Sequence, residues 1–245
     1  MKRLIPAVTA SLFIAAPAVQ ADVLGVGASI GYWDSDLSGK AANGSDRVDV
    51  ENDLDLSNND EANLSAFLEH PIPLLPNVRL GYVRIDQSGR GELSTGFDGV
   101  PGGVPVDSEL DWRQTDLTLY YEVLDNWVNL DLGLTVRDLD AELEVSDVAG
   151  LTRSKTEVDA VVPMAYVASR FDLPLTGLSV GISGNVVGYG GDSLYDYDLF
   201  GQYQIYGVQL RAGYREMAVD YEDGNDRLDI EAVSYTHLTL PTNRE

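Results

Sequence analysis

The feature that most constrains this fold is a pair of alternating segments within residues 116–136, joined by a tight turn at residues 124–127. Successive side chains of a β-strand point to opposite faces, so a strict period of two predicts a hairpin of two strands. The apolar row consists of Leu117, Leu119, Tyr121 and Val123 in the first segment and Val128, Leu130, Leu132, Leu134 and Val136 in the second. Each segment has about nine or ten residues, which suits a tilted strand crossing a bilayer better than a globular strand of about 5–6 residues. The hairpin therefore predicts a membrane barrel whose apolar rows face lipid.

The rest of the chain repeats this pattern. Alternation predicts further strands near residues 24–33, 63–70, 78–85, 158–168, 178–185, 197–205 and 208–215, and another that begins at residue 228. Short turns alternate with longer polar segments at residues 34–63, 86–109, 138–156 and 188–196. Outer-membrane barrels combine short periplasmic turns, longer external loops and an even number of strands. We therefore expect an all-β fold, an antiparallel transmembrane β-barrel of about 10 strands, with eight to ten left open.

An exported soluble β-sandwich is the alternative fold, since the apolar faces of two sheets can also meet in a core. Such a protein would act as a binding module. The long strands and the alternation of loop lengths favour the barrel. So do aromatic residues near the predicted strand ends, with Trp33 and Trp112 expected at the outer rim and Trp127 and Phe171 at the inner rim.

Residues 1–21 have the pattern of a cleaved secretory signal. They begin with Lys2 and Arg3, continue with a short apolar core and end in small residues at Ala21. The sequence contains no Cys, which excludes disulfides and a lipid anchor, and no other segment approaches the ~18 apolar residues of a membrane helix. We therefore expect an exported protein with a barrel at residues 22–232 that crosses the membrane by strands.

The chain is strongly acidic, with 40 Asp and Glu residues, 16 Lys and Arg residues and a net charge of −24. Affinity for nucleic acid depends on basic patches, so no nucleic-acid partner is expected. The acidic stretch at residues 46–61 could bridge divalent cations through its carboxylate oxygens, but it lacks EF-hand spacing. We favour a solvated loop there and predict no metal site and no cofactor.

Charged residues of both signs lie opposite the apolar rows of the predicted strands. They could line a narrow hydrophilic pore, or they could fill a small interior as mutually satisfied ion pairs. For ten strands we favour the filled or very narrow interior. The predicted interior charges are Arg79, Asp116, Glu122, Asp131, Arg137, Asp159, Arg211 and Arg215.

No catalytic residue is predicted, and the chain is not expected to be an enzyme. His70 is the sole histidine outside residues 233–245, and it lies beside a proline-rich turn at residues 71–77. Enzymes of the barrel type resemble one another in placing an active histidine at the outer rim. Nothing here pairs a histidine with a nucleophile in the way that such chemistry requires. We interpret His70 as a turn or interface residue.

Several stretches resemble an outer-membrane β-barrel family of Gram-negative bacteria that has no assigned activity. They are the leader, residues 22–25, the sequence EHPIPLLPNVRLGY at residues 69–82 and the Gly190-Gly191 loop. The resemblance covers most of residues 22–232 and implies location and fold only. It leads us to expect a monomer in the bacterial outer membrane, in contact with lipid and lipopolysaccharide and inserted by the barrel-assembly machinery. A structural role or a narrow passive channel is the expected function, with no assignable substrate.

Residues 233–245 do not fit this resemblance. The string that begins at Val233 looks like translated sequencing-adapter read-through. Barrels of this class end in an aromatic residue that the assembly machinery recognises, whereas Glu245 stands at the end here. Ser234 and Thr236 also fall where the apolar row of the last strand is expected to continue. We therefore expect a non-native tail at residues 233–245.

Overall fold

The computed structural model describes residues 11–15, 24–43, 46–56, 58–72, 74–205, 208–223 and 226–236. No helix capable of crossing a membrane occurs within these ranges. Twelve strands form one sheet, and every pair of neighbouring strands is antiparallel. The predicted all-β antiparallel class is therefore confirmed. The predicted count of about 10 strands is wrong, because the described residues form twelve.

Most strands pair with their neighbours in the chain. From β4 to β12 each strand pairs with the next one, β2 pairs with β4 and the short β3, and β12 pairs with β2 as well as β11. The short β1 also lies between β11 and β2. The strands are β1 (Ser11–Ala15), β2 (Gly25–Asn43), β3 (Asp46–Asp49), β4 (Asn58–Glu69), β5 (Asn77–Glu92), β6 (Pro105–Asp125), β7 (Val128–Asp147), β8 (Arg153–Asp172), β9 (Leu178–Tyr189), β10 (Asp192–Ile205), β11 (Val208–Asp223) and β12 (Asp226–Thr236).

Much of the sequence predicted as long polar loops is strand. Only residues 148–152 separate β7 from β8, and β9 turns into β10 at Gly190 and Gly191, both of which have positive φ. The charge of residues 138–147 predicts a loop, yet apolar and polar side chains alternate along this segment. Leu139 and Val145 are buried whereas Asp140 is exposed, so one side of the segment packs and the other meets solvent. Alternation outweighs charge as a strand signal here.

The two faces of the sheet differ in character. On the face that we call the outer face, large apolar side chains are exposed, as at Leu134 (67%) and Val161 (66%). The other face, which we call the inner face, carries buried side chains. Residues of strands that are not neighbours meet there, for example Arg79 of β5 and Tyr166 of β8. The sheet therefore curves around its inner face.

Most of the exposed apolar side chains lie in one half of the strands, although Val158 and Tyr189 are exposed nearer the opposite end. This half adjoins the connections at residues 70–77, 125–128, 172–178 and 205–208, and we call it the short-turn end. Towards the opposite end, the long-loop end, the outer face is charged and carries ion pairs such as Arg84–Asp86 (2.9 Å) and Lys155–Glu142 (3.2 Å). The exposed apolar set of the short-turn half, the apolar belt, comprises Val26, Ile30, Leu64, Leu68, Leu80, Leu117, Leu119, Tyr121, Val123, Leu132, Leu134, Val136, Val161, Val167, Phe171, Leu178, Val180, Ile182, Val186, Leu199, Tyr203 and Ile205.

An apolar cluster fills the inner face at the long-loop end. The connections after β3 and after β5 contribute buried apolar residues, which pack against the inner faces of the strands. These connections were predicted to be polar, and their apolar residues were not expected to form a core. The cluster, which we call the apolar plug, contains Leu37, Val48, Val50, Leu54, Leu56, Val83, Ile85, Leu93, Phe97, Val100, Val106, Trp112, Leu139, Ala141, Val145, Met164, Leu194, Met217 and Ala232.

Two strands present the face opposite to the predicted one. Alternation predicts that the row of Val158, Ala160, Val162, Met164, Tyr166 and Ala168 in β8 faces outward. Met164 and Tyr166 are buried, however, and Val161 and Val167 are exposed instead. Both rows of this strand are apolar, so composition alone does not distinguish them. In β12 the row of Ala232 and Ser234 faces inward, because Ala232 packs into the apolar plug.

The tryptophans divide between the two faces. Trp33 and Trp112 are buried on the inner face and do not lie at an outer rim, because each falls on the polar row of its strand. Trp127 is 59% exposed at the short-turn end, where its ring lies edge-on to Phe171 with centroids 5.3 Å apart. The predicted rim position is therefore wrong for Trp33 and Trp112, whereas the exposure of Trp127 agrees with its predicted position.

Pro163 lies in the middle of β8, opposite Val136 of β7. Pairing of β8 with β9 begins only at Ala165, so the β9 side of the strand is unpaired at the proline. Proline lacks the amide donor of a ladder and is tolerated at such an edge. The sequence predicts a bulge or an early strand position for Pro163, whereas the β7–β8 register is continuous there.

The predicted leader and tail lie partly within the described residues. Ser11–Ala15, inside the predicted leader, forms β1, and the other residues of 1–21 lie outside the description. β12 runs to Thr236 and so includes the first residues of the predicted tail, whereas residues 237–245 are not described.

Candidate functional site

The most prominent polar feature of the inner face is a cluster of two arginines and two aspartates. Arg137, on β7, is 1% exposed. Its guanidinium donates to both carboxylate oxygens of Asp116, with Nε–Oδ1 at 2.9 Å and Nη2–Oδ2 at 2.8 Å, and to Oδ2 of Asp196 at 2.6 Å. Arg215 donates to the two oxygens of Asp196 at 2.8 and 2.7 Å. We call these four residues the ionic cluster; its formal charges sum to zero.

Strand register explains how the ionic cluster assembles. Asp116 and Arg137 are direct partners in the β6–β7 ladder, where paired side chains share a face. Arg215 is paired with Asp198 and reaches diagonally to Asp196 within the β10–β11 ladder. Because the sheet curves, Arg137 of β7 then contacts Asp196 of β10. Each charge is therefore matched by an opposite charge on a neighbouring or facing strand.

Arg79 organises a second layer nearer the short-turn end. Its Nη1 donates to the Tyr166 hydroxyl at 2.7 Å, and its Cζ lies 5.3 Å from the ring centroid of Tyr120 and 5.6 Å from that of Tyr166. Tyr120 in turn donates to Oε1 of Glu69 at 2.8 Å. Cation–π contact and a charge-assisted hydrogen bond thus hold the half-buried Arg79 guanidinium between Tyr120 and Tyr166.

A layer of neutral polar groups separates these two charged layers. The hydroxyl oxygens of Thr118 and Thr135 lie 2.8 Å apart, and Thr135 donates to Oδ1 of Asn185 at 2.6 Å. Thr118 and Thr135 are both buried and paired across the β6–β7 ladder. The inner face of β6 therefore runs from the apolar plug at Trp112 through three successive polar layers.

Arg211 stacks over Phe200, with its Cζ 3.6 Å from the ring centroid, and donates to Asp198 at 3.3 Å and to Gln202 at 3.2 Å. Its plane covers an aromatic face while its edge reaches a carboxylate, a combination that suits the planar guanidinium. Five of the eight predicted interior charges, Arg79, Asp116, Arg137, Arg211 and Arg215, therefore take part in contacts across the inner face.

The remaining three predicted charges have different surroundings. Glu122 and Asp131 are direct partners near the short-turn end, and Asn77 donates to Oε2 of Glu122 at 3.2 Å. Asp159 is placed differently from the prediction. It is exposed and paired with the exposed Asp140, so it lies on the outer face at the long-loop end. Met164 of β8 faces inward. Asp159 is five positions before Met164 in the same strand, so its side chain lies on the opposite, outer face.

Among the residues that the structure describes, the inner face contains a small cavity. One cavity of about 10 Å³, enough for about one water molecule, is lined by Val83, Ile85, Gln114, Arg215, Met217, Ala232 and Ser234. It lies between the ionic cluster and the apolar plug. Above it the plug residues pack against one another, and below it the guanidinium of Arg137 crosses from β7 to β10. These contacts hold β7 and β10 together across the inner face.

The predicted turn residue His70 stabilises the connection after β4. Its Nε2 lies 3.1 Å from the Pro76 carbonyl oxygen, its backbone amide donates to Asn77, and its Nδ1 accepts from the Ile72 amide at 3.3 Å. Both ring nitrogens therefore contact backbone groups of the turn. No nucleophile contacts the ring in these interactions, and the imidazole orders a loop.

The acidic stretch at residues 46–61 is folded where it is described. Asp53 is 6% exposed and accepts hydrogen bonds from the Asp49 amide and from the amide and hydroxyl of Ser94. Asp49 accepts from the Asn52 amide, which holds the pKa of the Asp49 carboxyl below its usual value. Asp53 thereby joins the connection after β3 to the connection after β5. In the described part of the chain, no group of three or more acidic, His or Cys residues is placed to hold a metal ion.

Sequence reasoning missed several members of the inner layers. Asp196 was overlooked because residues 188–196 were predicted to be a loop, and Asp198 was not listed although it lies on the polar row of the strand predicted near residues 197–205. Their alternation with Tyr195 and Tyr197 was the available signal, since it places both carboxylates on the row of Gln202. Comparison with known protein families, with curated proteins and with solved structures finds no match for this chain.

Proposed function

We propose that this protein is an outer-membrane β-barrel with a structural role, whose interior is closed to solutes. The observation that carries the proposal is the contrast between the faces of the sheet. Large apolar side chains are exposed along the apolar belt, whereas Arg137, Asp196 and Gln114 are buried. A protein in water buries apolar side chains and exposes charged ones, and a barrel in lipid does the reverse along its spanning strands.

Strand pairing supports closure into a barrel. The ladder runs from β2 through β4 and the following strands to β12, and β12 pairs again with β2. The ten strands of this cycle have 11 to 21 residues each, and the short β1 and β3 add to it. A closed ladder satisfies backbone groups that lipid cannot solvate. The even number of long strands also agrees with bacterial barrels.

The rims of the apolar belt support a membrane position. At the short-turn end Trp127 and Phe171 are exposed and in contact. At the other rim Tyr195, Tyr197 and Tyr214 donate their hydroxyls to Glu216. Aromatic residues with a polar edge are typical of both membrane interfaces. In this proposal the short-turn end is periplasmic, and the charged long-loop end faces the lipopolysaccharide side.

The interior favours a structural barrel over a narrow passive channel. The apolar plug and the ionic cluster lie in series along the inner face, and the cavity between them holds about one water molecule. Small barrels commonly fill their interiors with side chains. The proposal includes residues 1–21 as an export signal and insertion by the barrel-assembly machinery.

The proposal is tested by refolding the full chain from urea into detergent micelles and running it on a gel with and without heating. We expect a band whose mobility changes on heating, together with a circular-dichroism spectrum rich in strand. A matched sample refolded without detergent should precipitate. A folded, monomeric protein in detergent-free buffer would instead indicate an exported β-sandwich, and the membrane assignment would then be withdrawn.

A further inference from the structure

Two of the connections at the short-turn end expose a leucine on a backbone that leucine rarely adopts. Leu74, between β4 and β5, has φ 71° and a side chain that is 92% exposed. Leu175, between β8 and β9, has φ 66° and a fully exposed side chain. We call these two residues the turn leucines. Because Gly or Asn would adopt a positive φ at lower cost, the two side chains are expected to make contacts outside the chain.

The two turns are built alike. The amide of Leu75 donates to the Ile72 carbonyl oxygen at 3.4 Å, and the amide of Thr176 donates to the Leu173 carbonyl oxygen at 3.3 Å. Each turn leucine is therefore the third residue of a hydrogen-bonded β-turn, a position at which a positive φ normally requires Gly or Asn. In the sequence a proline precedes each of them. The same conformation thus presents a leucine at two places along one edge of the sheet.

Both turns lie against the outer face of the sheet. The hydroxyl of Tyr121, an exposed residue of the apolar belt on β6, donates to the Leu74 carbonyl oxygen at 2.9 Å. In the other turn a Cβ at Gly177 would lie 3.2 Å from Cε2 of Tyr203, an exposed belt residue of β10. Each turn therefore contacts an outer-face tyrosine one strand further along the sheet, on β6 beyond β5 and on β10 beyond β9. The turns continue the surface of the apolar belt.

Hydrogen bonds within each turn cover polar backbone groups. The Leu173 carbonyl oxygen accepts from the amide and from the hydroxyl of Thr176, and this hydroxyl accepts from the Leu178 amide. In the first turn, Nε2 of His70 lies 3.1 Å from the Pro76 carbonyl oxygen. Backbone groups that are already paired can leave water without the cost of an unmade hydrogen bond. Both turns are therefore suited to surroundings that offer few hydrogen-bond partners.

The composition of the two turns favours lipid as the surrounding of the turn leucines. Residues 71–76 and 173–177 contain no charged side chain, and Ile72, Leu75 and Leu173 add exposed apolar surface beside the turn leucines. Turns that face water are typically rich in Gly, Asn, Asp and Ser. Apolar side chains that adjoin a hydrocarbon-facing surface enter the boundary between lipid headgroups and acyl chains. Burial of a leucine in that boundary offsets the cost of its positive φ.

We propose that the turn leucines bind lipid, lying between the headgroups and the start of the acyl chains in the membrane leaflet at the short-turn end, and that they set the depth at which the barrel sits. The inference rests on the proposed membrane barrel. It can fail while the barrel stands, because a barrel can also span the membrane with both turns in water.

The absence of Cys from the sequence allows a single label to be placed at each turn. The full chain is prepared as Leu74→Cys or Leu175→Cys, labelled with an environment-sensitive fluorophore and refolded into phosphatidylcholine vesicles, with or without lipid that carries a nitroxide on the acyl chain near the headgroup. We expect blue-shifted emission and quenching by the nitroxide lipid at both positions. Leu151→Cys is the matched control, because Leu151 is 83% exposed in the turn between β7 and β8 at the long-loop end and its label should stay in water. Leu132→Cys, in the apolar belt, reports insertion of the barrel.

The labels separate failure of this inference from failure of the barrel. If the Leu132→Cys label is quenched but both turn labels behave like the Leu151→Cys label, the proposal is overturned and the barrel is retained. The turn leucines would then face water or a periplasmic protein. If the Leu132→Cys label is also unquenched in a chain whose circular dichroism is rich in strand, the proposed membrane barrel fails and this inference fails with it.

Leu175→Asn tests the same inference through stability. Asn adopts a positive φ more readily than Leu, so in water this substitution should leave the folded state equally or more stable. In lipid the lost apolar burial outweighs the relief of the backbone, and we expect the folding equilibrium constant in vesicles to fall roughly threefold or more. Urea titration measures this constant, with Leu151→Asn as a control that should leave it unchanged. A Leu175→Asn chain that is as stable as the wild type in vesicles would overturn the proposal.

Discussion

Arg137 is the residue on which the inner face depends most. Its guanidinium, 1% exposed, donates to carboxylates on β6 and β10, and its Nη1 lies 3.9 Å from the sulfur of Met217 on β11. One side chain thereby joins three strands besides its own. Removal of one partner from a buried ionic network leaves the remaining charges without compensation, which costs more than the loss of a single hydrogen bond.

We therefore expect Arg137→Ala to lower the free energy of unfolding by about 3–5 kcal/mol. Urea unfolding in lipid vesicles, followed by tryptophan fluorescence, measures this change. The control is Arg90→Ala, which removes an arginine paired with Asp107 at the surface and should leave stability nearly unchanged. Equal effects of the two substitutions would contradict the structural importance of the ionic cluster.

Gly133 allows Tyr120 to lie flat against the β6–β7 ladder. A Cβ at residue 133 would lie 2.3 Å from the Leu119 carbonyl oxygen and 2.8 Å from the Cα and Cβ of Tyr120, which is its direct partner. We expect Gly133→Ala to destabilise the protein by about 1–3 kcal/mol through overpacking. Gly201→Ala is the matched control, because no atom lies within 4 Å of a Cβ there. Urea unfolding in lipid vesicles measures the stability of both variants. If Gly133→Ala is as stable as the wild type, Tyr120 can shift to make room for the added Cβ.

Among the elements, the turn between β7 and β8 offers a test at acid pH. Hydrogen bonds from the Leu151 amide and the Thr152 hydroxyl hold the pKa of Asp147 below its usual value. A depressed pKa means that the carboxylate stabilises the turn fully above about pH 4, the ordinary value for Asp, and that this stabilisation is lost as the pH falls through the lower value. The Leu151 amide resonance, followed by NMR in micelles, should therefore titrate below pH 4. In Asp147→Asn this inflection should disappear. An inflection at or above pH 4 in the wild type would contradict the hydrogen bonds from Leu151 and Thr152 to the Asp147 carboxylate.

The sequence predicted the central hairpin well because its two rows differ sharply in polarity. Leu132 and Leu134 are exposed and Asn129 and Thr135 are buried, on the sides that alternation assigns. Prediction failed where both rows of a strand are apolar, as in β8. It also failed where charge concealed an alternating strand, as at residues 138–147. The partners in the ionic cluster were not predictable, because the contact between Arg137 and Asp196 depends on the curvature of the sheet.

The apolar belt leads to a prediction at a single position of β7. We expect Leu132→Arg, in the middle of the exposed row, to destabilise the protein in lipid by about 2–4 kcal/mol, since the arginine would enter hydrocarbon. Asp140→Arg is the control. It lies on the same face of the same strand but beyond the apolar belt, where a charge is already exposed, and it should cost little. If both variants unfold at the same urea concentration as the wild type, this row does not face lipid.

On the scale of the whole molecule, the proposed barrel would place two barriers of different chemistry along one axis. In it the apolar plug would exclude water, and the ionic cluster below would fill the cross-section with paired side chains. Ions crossing the interior would have to lose their hydration in the plug and then break a guanidinium–carboxylate contact. Because the barriers are in series, removal of one leaves the other in place.

We therefore expect the refolded wild type to show no steady unit conductance in planar lipid bilayers. A variant with Leu93→Ser, Phe97→Ser and Val100→Ser, which makes the plug polar, should stay closed because Arg137 still bridges β6, β7 and β10. Addition of Arg137→Ala to that variant should produce discrete conductance steps. Steps from the triple serine variant alone would show that the ionic cluster is no barrier. Steps from the wild type, absent in a Leu132→Arg preparation that fails to insert, would replace the closed structural barrel with a channel.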